Sequence, residues 1–256
     1  MDVTQQPVEP VVPAQGAALK PDTVLKQEAR FGAAFLRKHG WRLALLFSGV
    51  LLPLWGFAAL VEELHEGEAF AFDMPILQLA HAMARQGFDQ VFLVFTAIGY
   101  QYGVVPFDVA LVLWLAWKRR FREGLFAGIA LGGSALLNIV AKQVFARERP
   151  TLWQSISPED TFSFPSGHAM GSMTLAVVLV LLAWPTRWRK PALIAMAIFV
   201  PMVGLSRIYL GVHYPSDILA GWTAASVWAV GCYGLVFYDH LRPWQLRGEG
   251  KAPGHT

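Results

Sequence analysis

Phe164-Pro-Ser-Gly-His-Ala-Met-Gly171 stands where a polar loop becomes an apolar helix, and it places Ser166, Gly167 and His168 at the junction. A turn that opens a helix presents unpaired backbone N–H groups and the positive end of the helix dipole, so it suits an anion. A histidine beside it can exchange a proton near neutral pH. The stretch reads as the floor of a phosphate site, although Pro-Ser-Gly-His alone is equally a capped turn with a surface histidine. What lies on either side decides between the two.

With 55% hydrophobic and only 15% charged residues and a mean hydropathy of +0.41, the 256-residue chain is not that of a soluble protein. It is expected to be an all-α, polytopic membrane protein. Residues 1–42 are a polar N-terminal tail, without a cleavable signal peptide at the very start because the first apolar segment follows Arg42. The membrane domain is residues 43–238, and 239–256 form a C-terminal tail. Cys232 has no partner in the chain, so an intramolecular disulfide is excluded.

Six transmembrane helices are expected, at 43–61, 91–117, 124–145, 168–184, 192–206 and 218–238. The second is interrupted by Gly99, Gly103 and Pro106, while Gly124, Gly128 and Gly132 line one face of the third for close helix packing. Residues 62–89 set Glu62, Glu63, Glu66, Glu68, Asp73 and Asp89 against Ile76, Leu77, Ala80, Met83 and Phe88, the pattern of an interfacial helix or of an extramembrane loop. His65, His81 and His240 read as interfacial. Asp108 inside the second span is a helix-to-helix hydrogen bond or a functional acid, and Asn138, one turn before Lys142, either orients that lysine or packs.

Six spans put both termini on one side. Of the 21 Lys and Arg, Lys20, Lys26, Arg30, Arg37, Lys38, Arg42, Lys118, Arg119, Arg120, Arg122, Arg187, Arg189, Lys190, Arg242, Arg247 and Lys251 share that side, which is therefore cytoplasmic. Arg85, Lys142, Arg147, Arg149 and Arg207 remain, and four of these five flank Phe164 to Gly171 on the outer face, where they call for a local anion. Basic residues so placed leave no role for nucleic acid, despite a net charge of +3.

Three segments meet on that face: Lys142 to Arg149-Pro150, Pro165-Ser-Gly-His168, and Ser206-Arg207 through His213 to Asp217. Singly they read as a snorkelling lysine, a capped turn, a helix-end cation and a helix cap. Together they resemble the signature of the type-2 phosphatidic acid phosphatase family, Lys-x6-Arg-Pro, Pro-Ser-Gly-His and Ser-Arg-x5-His-x3-Asp, without a departure. The resemblance implies a helical-bundle phosphatase core in a bacterial inner membrane, acting on phosphatidic acid, phosphatidylglycerol phosphate, undecaprenyl diphosphate or lipid A phosphates in the outer leaflet.

Metal-free phosphoester cleavage needs cations, an in-line nucleophile and an acid for the departing oxygen. Lys142, Arg149 and Arg207 suit the clamp, with Ser166 and the backbone at Gly167 as neutral donors. Asp217 can hold one ring nitrogen of His213 and leave the other to attack, so His213 is the expected nucleophile and His168 the acid and base; the resemblance implies the same roles. No cofactor and no metal is implied, and the partners are the lipid phosphate substrate and membrane lipids. A phosphotransferase of the same family, a vanadium haloperoxidase and a non-enzymatic lipid transporter are the alternatives.

Overall fold

A helix that is apolar all round can be satisfied only by lipid or by other helices, and this chain uses both. The computed structural model describes residues 37, 40 and 43–237 other than 68, 69, 85 and 86. The rest of the 1–42 tail, the 239–256 tail, Glu68, Arg85 and His240 therefore lie outside the described residues, which from Ala44 on form one compact unit.

Eight helices make up the described residues: α1 Leu43–His65, α2 Asp73–Ala84, α3 Asp89–Gly99, α4 Val104–Trp117, α5 Phe121–Phe145, α6 Gly167–Ala183, α7 Arg189–Tyr209 and α8 Pro215–Phe237. Among the described residues five stretches are long and apolar enough to cross a bilayer, namely α1, α3 with α4, α5, α7 and α8. The remaining expected span, α6, has only 17 residues. Ser166 caps its start and Pro185, lacking an N–H, follows its end. It is the hub of the bundle, packed by α3, α4, α5, α7 and α8, and eight of its residues are buried. The long helices instead turn Leu46, Phe47, Leu51, Trp55, Leu113, Leu136, Ile194 and Leu235 outward, an apolar surface suited to lipid.

One core cluster lies between α4, α5, α6 and α8, built on Leu115, Phe126, Leu131, Val178 and Ala229. A smaller one, Leu77, Ala169, Ile208 and Ile218, lies beneath the opposite end of the bundle. Gly124 and Gly128 face Leu115 and Val112 of α4 and serve the expected packing, whereas Gly132 meets nothing.

The second span is interrupted as expected: it breaks between Gly99 and Val104, where a side chain on Gly103 would collide with the Ile98 backbone. One expectation changes, because the 62–89 stretch is not one element: Glu62 and Glu63 complete α1 and α2 follows as a separate helix. That helix does turn Met74, Ile76, Leu79 and Met83 outward, but it buries Leu77 against α6, α7 and α8 and carries the buried Asp73. Period alone could not reveal this, because an interfacial helix and a docked one show the same spacing.

Candidate active site

The C-terminal end of α5 and α7 and the N-terminal end of α6 and α8 converge at one end of the bundle. Ala146 takes a left-handed conformation (φ 44°) and ends α5 just after Lys142, releasing the chain into a loop that carries Arg147 and Arg149 and returns to α6. Gly221 lets α8 approach the start of α6: a Cβ there would lie 2.9 Å from the Ser166 carbonyl oxygen and 3.0 Å from Ala169 Cβ. Across this contact Ser166 N donates to the Asp217 carbonyl at 3.1 Å.

At the centre stands a carboxylate from the loop, Glu159. Arg149 Nη2 donates to its Oε2 at 2.6 Å, and Arg207 Nη2 pairs with its Oε1. His168 Nδ1 lies 3.6 Å from Oε1 and His213 Nε2 3.8 Å from Oε2. Burial would push the Glu159 carboxyl up, but Arg207 foremost, with Arg149 and Lys142, outweighs it and holds the carboxyl below its ordinary range. An ionised group with two oxygens, gripped by two guanidinium groups and flanked by two imidazoles, thus fills the space between the three motifs.

Each cation is held in turn. Arg207, only 1% exposed, also donates to Thr96 on α3. Arg149 Nε donates to the Thr161 carbonyl at 2.6 Å and Nη1 to the Val212 carbonyl at 2.6 Å, which ties the loop to the α7–α8 turn. Lys142 Nζ is spent on the loop, donating to the Phe162 carbonyl at 2.6 Å and to Thr161 Oγ1 at 2.9 Å.

His213 is wholly buried in that turn. Its Nε2 is 3.1 Å from Arg149 Nη1, and since a guanidinium only donates, Nε2 must accept. The ring proton therefore sits on Nδ1, 3.3 Å from Asp217 Oδ2. Asp217 Oδ2 also accepts from the Ser163 hydroxyl, and from Tyr214 N at 2.8 Å. Burial first, then Arg149 and Arg207, hold the His213 imidazole well below its ordinary value, so it is neutral with its Nε2 lone pair turned to the clamp.

Of the residues singled out from sequence, Arg149, Arg207, His168 and His213 surround one point, Asp217 stands behind His213, and Lys142 fastens the loop over them. Ser166 Oγ accepts from Ala169 N (3.4 Å) as the helix cap and keeps its own hydroxyl proton to donate, while its N–H is used by the Asp217 carbonyl. Gly167 follows it as the first residue of α6, facing Asn138. Asn138 does not orient Lys142; its Nδ2 donates to the Pro165 carbonyl at 3.0 Å and so braces the turn. Asp108 makes no interhelical hydrogen bond through Oδ1, which is buried without a partner beside a cavity of about 40 Å³ lined by Tyr100, Ser134, Asn138 and Thr174. His81 stacks on Trp153 at 4.2 Å. Sequence reasoning passed over Glu159, Ser163, Thr96 and Tyr100, whose ring lies 5.1 Å from that of His168. The available signal was Glu159 itself, an acid in a loop that opens with Arg147 and Arg149.

Residues 123–241 match the family model described as the PAP2 superfamily. The chain is 28% identical over 172 residues to phosphatidylglycerophosphatase B of Bacillus subtilis, covering 65% of this chain and 84% of that one. It is also 28% identical over 183 residues to an undecaprenyl-diphosphatase of Sulfolobus acidocaldarius, covering 69% and 85%. The crystal structure of a transmembrane PAP2 type phosphatidylglycerolphosphate phosphatase from Bacillus subtilis superposes with a TM-score of 0.64 at 25% identity, over 75% of this chain and 98% of the other. The chain is therefore an integral membrane protein whose residues 123–241 are similar to the PAP2 superfamily.

Proposed function

We propose that this chain hydrolyses a phosphate monoester or diphosphate of a membrane lipid, at the outer face of a bacterial inner membrane, through a phosphohistidine on His213. The observation that carries this is the Glu159 carboxylate held by Arg149 and Arg207 between His168 and His213, because a phosphoryl group offers the same grip with one more oxygen. The phosphoryl displaces Glu159. His213 Nε2 attacks phosphorus, and the P–O bond to the lipid breaks as His168 gives its proton to the departing oxygen. His168 then takes a proton from a water that attacks the phosphohistidine, the P–N bond breaks, and inorganic phosphate leaves.

Sidedness follows from the charges: Lys118, Arg119, Arg120, Arg122, Arg187, Arg189 and Lys190 gather at the bundle end opposite the site. We place that end and both tails, 1–42 and 239–256, in the cytoplasm, with the membrane domain spanning 43–238. The lipid classes named by the two relatives, phosphatidylglycerol phosphate and undecaprenyl diphosphate, are the first to test, with phosphatidic acid and lipid A beside them.

The experiment is phosphate release from this panel by purified protein without added metal, alongside His213→Ala. At least one lipid is expected to be turned over, with a loss of roughly 1,000-fold or more in the variant. Full turnover by His213→Ala, or no release from any lipid by the wild type, overturns the reading.

A further inference from the structure

Asp217 is wholly buried, and its two oxygens serve different partners. Oδ2 takes His213, Ser163 and Tyr214 N, whereas Oδ1 takes Arg147 Nη1 at 2.5 Å. Arg147 lies between Lys142 and Arg149, at a position the Lys-x6-Arg-Pro motif leaves open. Its Nη1 also donates to Ser216 Oγ at 2.8 Å, and its Nη2 to Asp73 Oδ2 at 3.0 Å. Asp73 opens α2, is buried, and accepts from Ser216 N at 2.9 Å and from Ser216 Oγ at 2.6 Å. The guanidinium is seated 4.1 Å over the Tyr214 ring, while the Arg147 carbonyl accepts from Ser163 N at 2.8 Å. One cation is thus divided between two buried carboxylates, one of which holds His213.

A buried carboxylate without a cation takes up a proton, and a protonated Asp217 no longer fixes the imidazole by accepting from Nδ1–H. An undivided cation errs the other way: it draws the Asp217 charge off the imidazole and leaves Nε2 a poorer nucleophile. Resting on the phosphohistidine reading, we propose that Arg147, anchored by Asp73, is a positioning residue whose shared charge keeps Asp217 ionised and the His213 Nε2 lone pair aimed at the clamp. This gives α2 a part in the reaction although none of its residues touches Glu159 or either histidine.

The test compares Arg147→Gln, Arg147→Lys and Asp73→Asn with wild type and His213→Ala, using the lipid turned over by the wild type. For Arg147→Gln kcat falls about 10- to 100-fold, as for other residues that orient a site side chain, while KM stays within about twofold. Arg147→Lys, which keeps the charge but not the fork, lies between it and wild type.

The pH dependence of kcat is the decisive readout. The charged and titratable groups facing His213 and Asp217 are Arg147, Arg149 and Glu159 from the loop, Lys142 from α5, His168 from α6, Arg207 from α7, Tyr214 beside them, and Asp73 from α2. Only Arg147 or Asp73 changes in each variant. Losing the cation lets the His213–Asp217 pair hold a surplus proton to higher pH, so the acid limb moves up by roughly one unit in Arg147→Gln. Losing the Asp73 charge leaves Arg147 undivided, so the limb moves down in Asp73→Asn. The substrate phosphate titrates alike in all variants, and the position of a limb does not depend on how much protein folds.

Opposite shifts with the kcat loss support the proposal. Unmoved limbs, shifts in one direction, or a kcat for Arg147→Gln within twofold of wild type overturn it. An inactive wild type or an active His213→Ala overturns the underlying reading instead.

Discussion

On the proposed function Glu159 is one carboxylate in the place of a phosphoryl group, and its removal has a calculable sign. Glu159→Gln keeps the shape but removes the negative charge that balances Arg149 and Arg207, so an incoming anion meets less competition. Orthovanadate or phosphate is expected to inhibit this variant at concentrations roughly tenfold lower, corresponding to about 1.4 kcal/mol, as measured by inhibition titration. Unchanged or weaker inhibition would remove Glu159 from the phosphoryl position. Acid stability is a second residue-scale expectation. Folded His213 binds its proton only well below the ordinary value, so between that value and about pH 6.5 the unfolded chain holds more protons and stability falls as pH drops. Glu159, ionised below its ordinary range, adds a loss of the same sign at still lower pH, as the folded group takes up its proton. Thermal unfolding in detergent should therefore show a falling Tm from pH 7 to 5, with a shallower slope in His213→Asn.

Among the elements, α6 and α8 set the site's geometry through their contact at Gly221. Gly221→Ala forces a Cβ against the Ser166 carbonyl and Ala169, at a cost of about 1–3 kcal/mol for overpacking. It should lower Tm, and lower phosphate release by more than the Tm loss explains, because it widens the Ser166–Asp217 contact. Elements also show where a sequence stops being legible. The three motifs fell on helix ends as their spacing required, and the apolar runs marked the spans to within a few residues. Gly99, Gly103 and Pro106 announced the α3–α4 break, but not that it brings Thr96 to Arg207 and Tyr100 to His168. Asp73 read as one acid of an amphipathic stretch and Arg147 as one of the outer-face cations that call for an anion, but a buried ion pair between segments 74 residues apart leaves no local pattern that joins the two. Glu159 was obscured for the same reason: apart from Arg149 on its own loop, its partners Arg207, His168 and His213 lie elsewhere in the chain.

At the scale of the whole molecule the two ends differ in kind. Trp114, Trp117, Trp184 and Trp188 are exposed at the end that carries the basic turns, as an aromatic belt requires, while the opposite end holds the loop and the clamp. A cysteine placed at the exposed Thr151 should react with a membrane-impermeant maleimide in intact cells, and one at the exposed Arg187 only after permeabilisation. Cys232 is buried and gives a silent background. The reverse labelling would invert the topology. The paired Glu159 bears finally on how such a protein survives between encounters with substrate. A guanidinium sealed inside a bundle without a counter-ion is strongly destabilising, yet Arg207 sits there beside an anion that its own chain provides. Biosynthesis and insertion can thus finish before any lipid phosphate has been met, with Arg207 already paired inside the assembled fold.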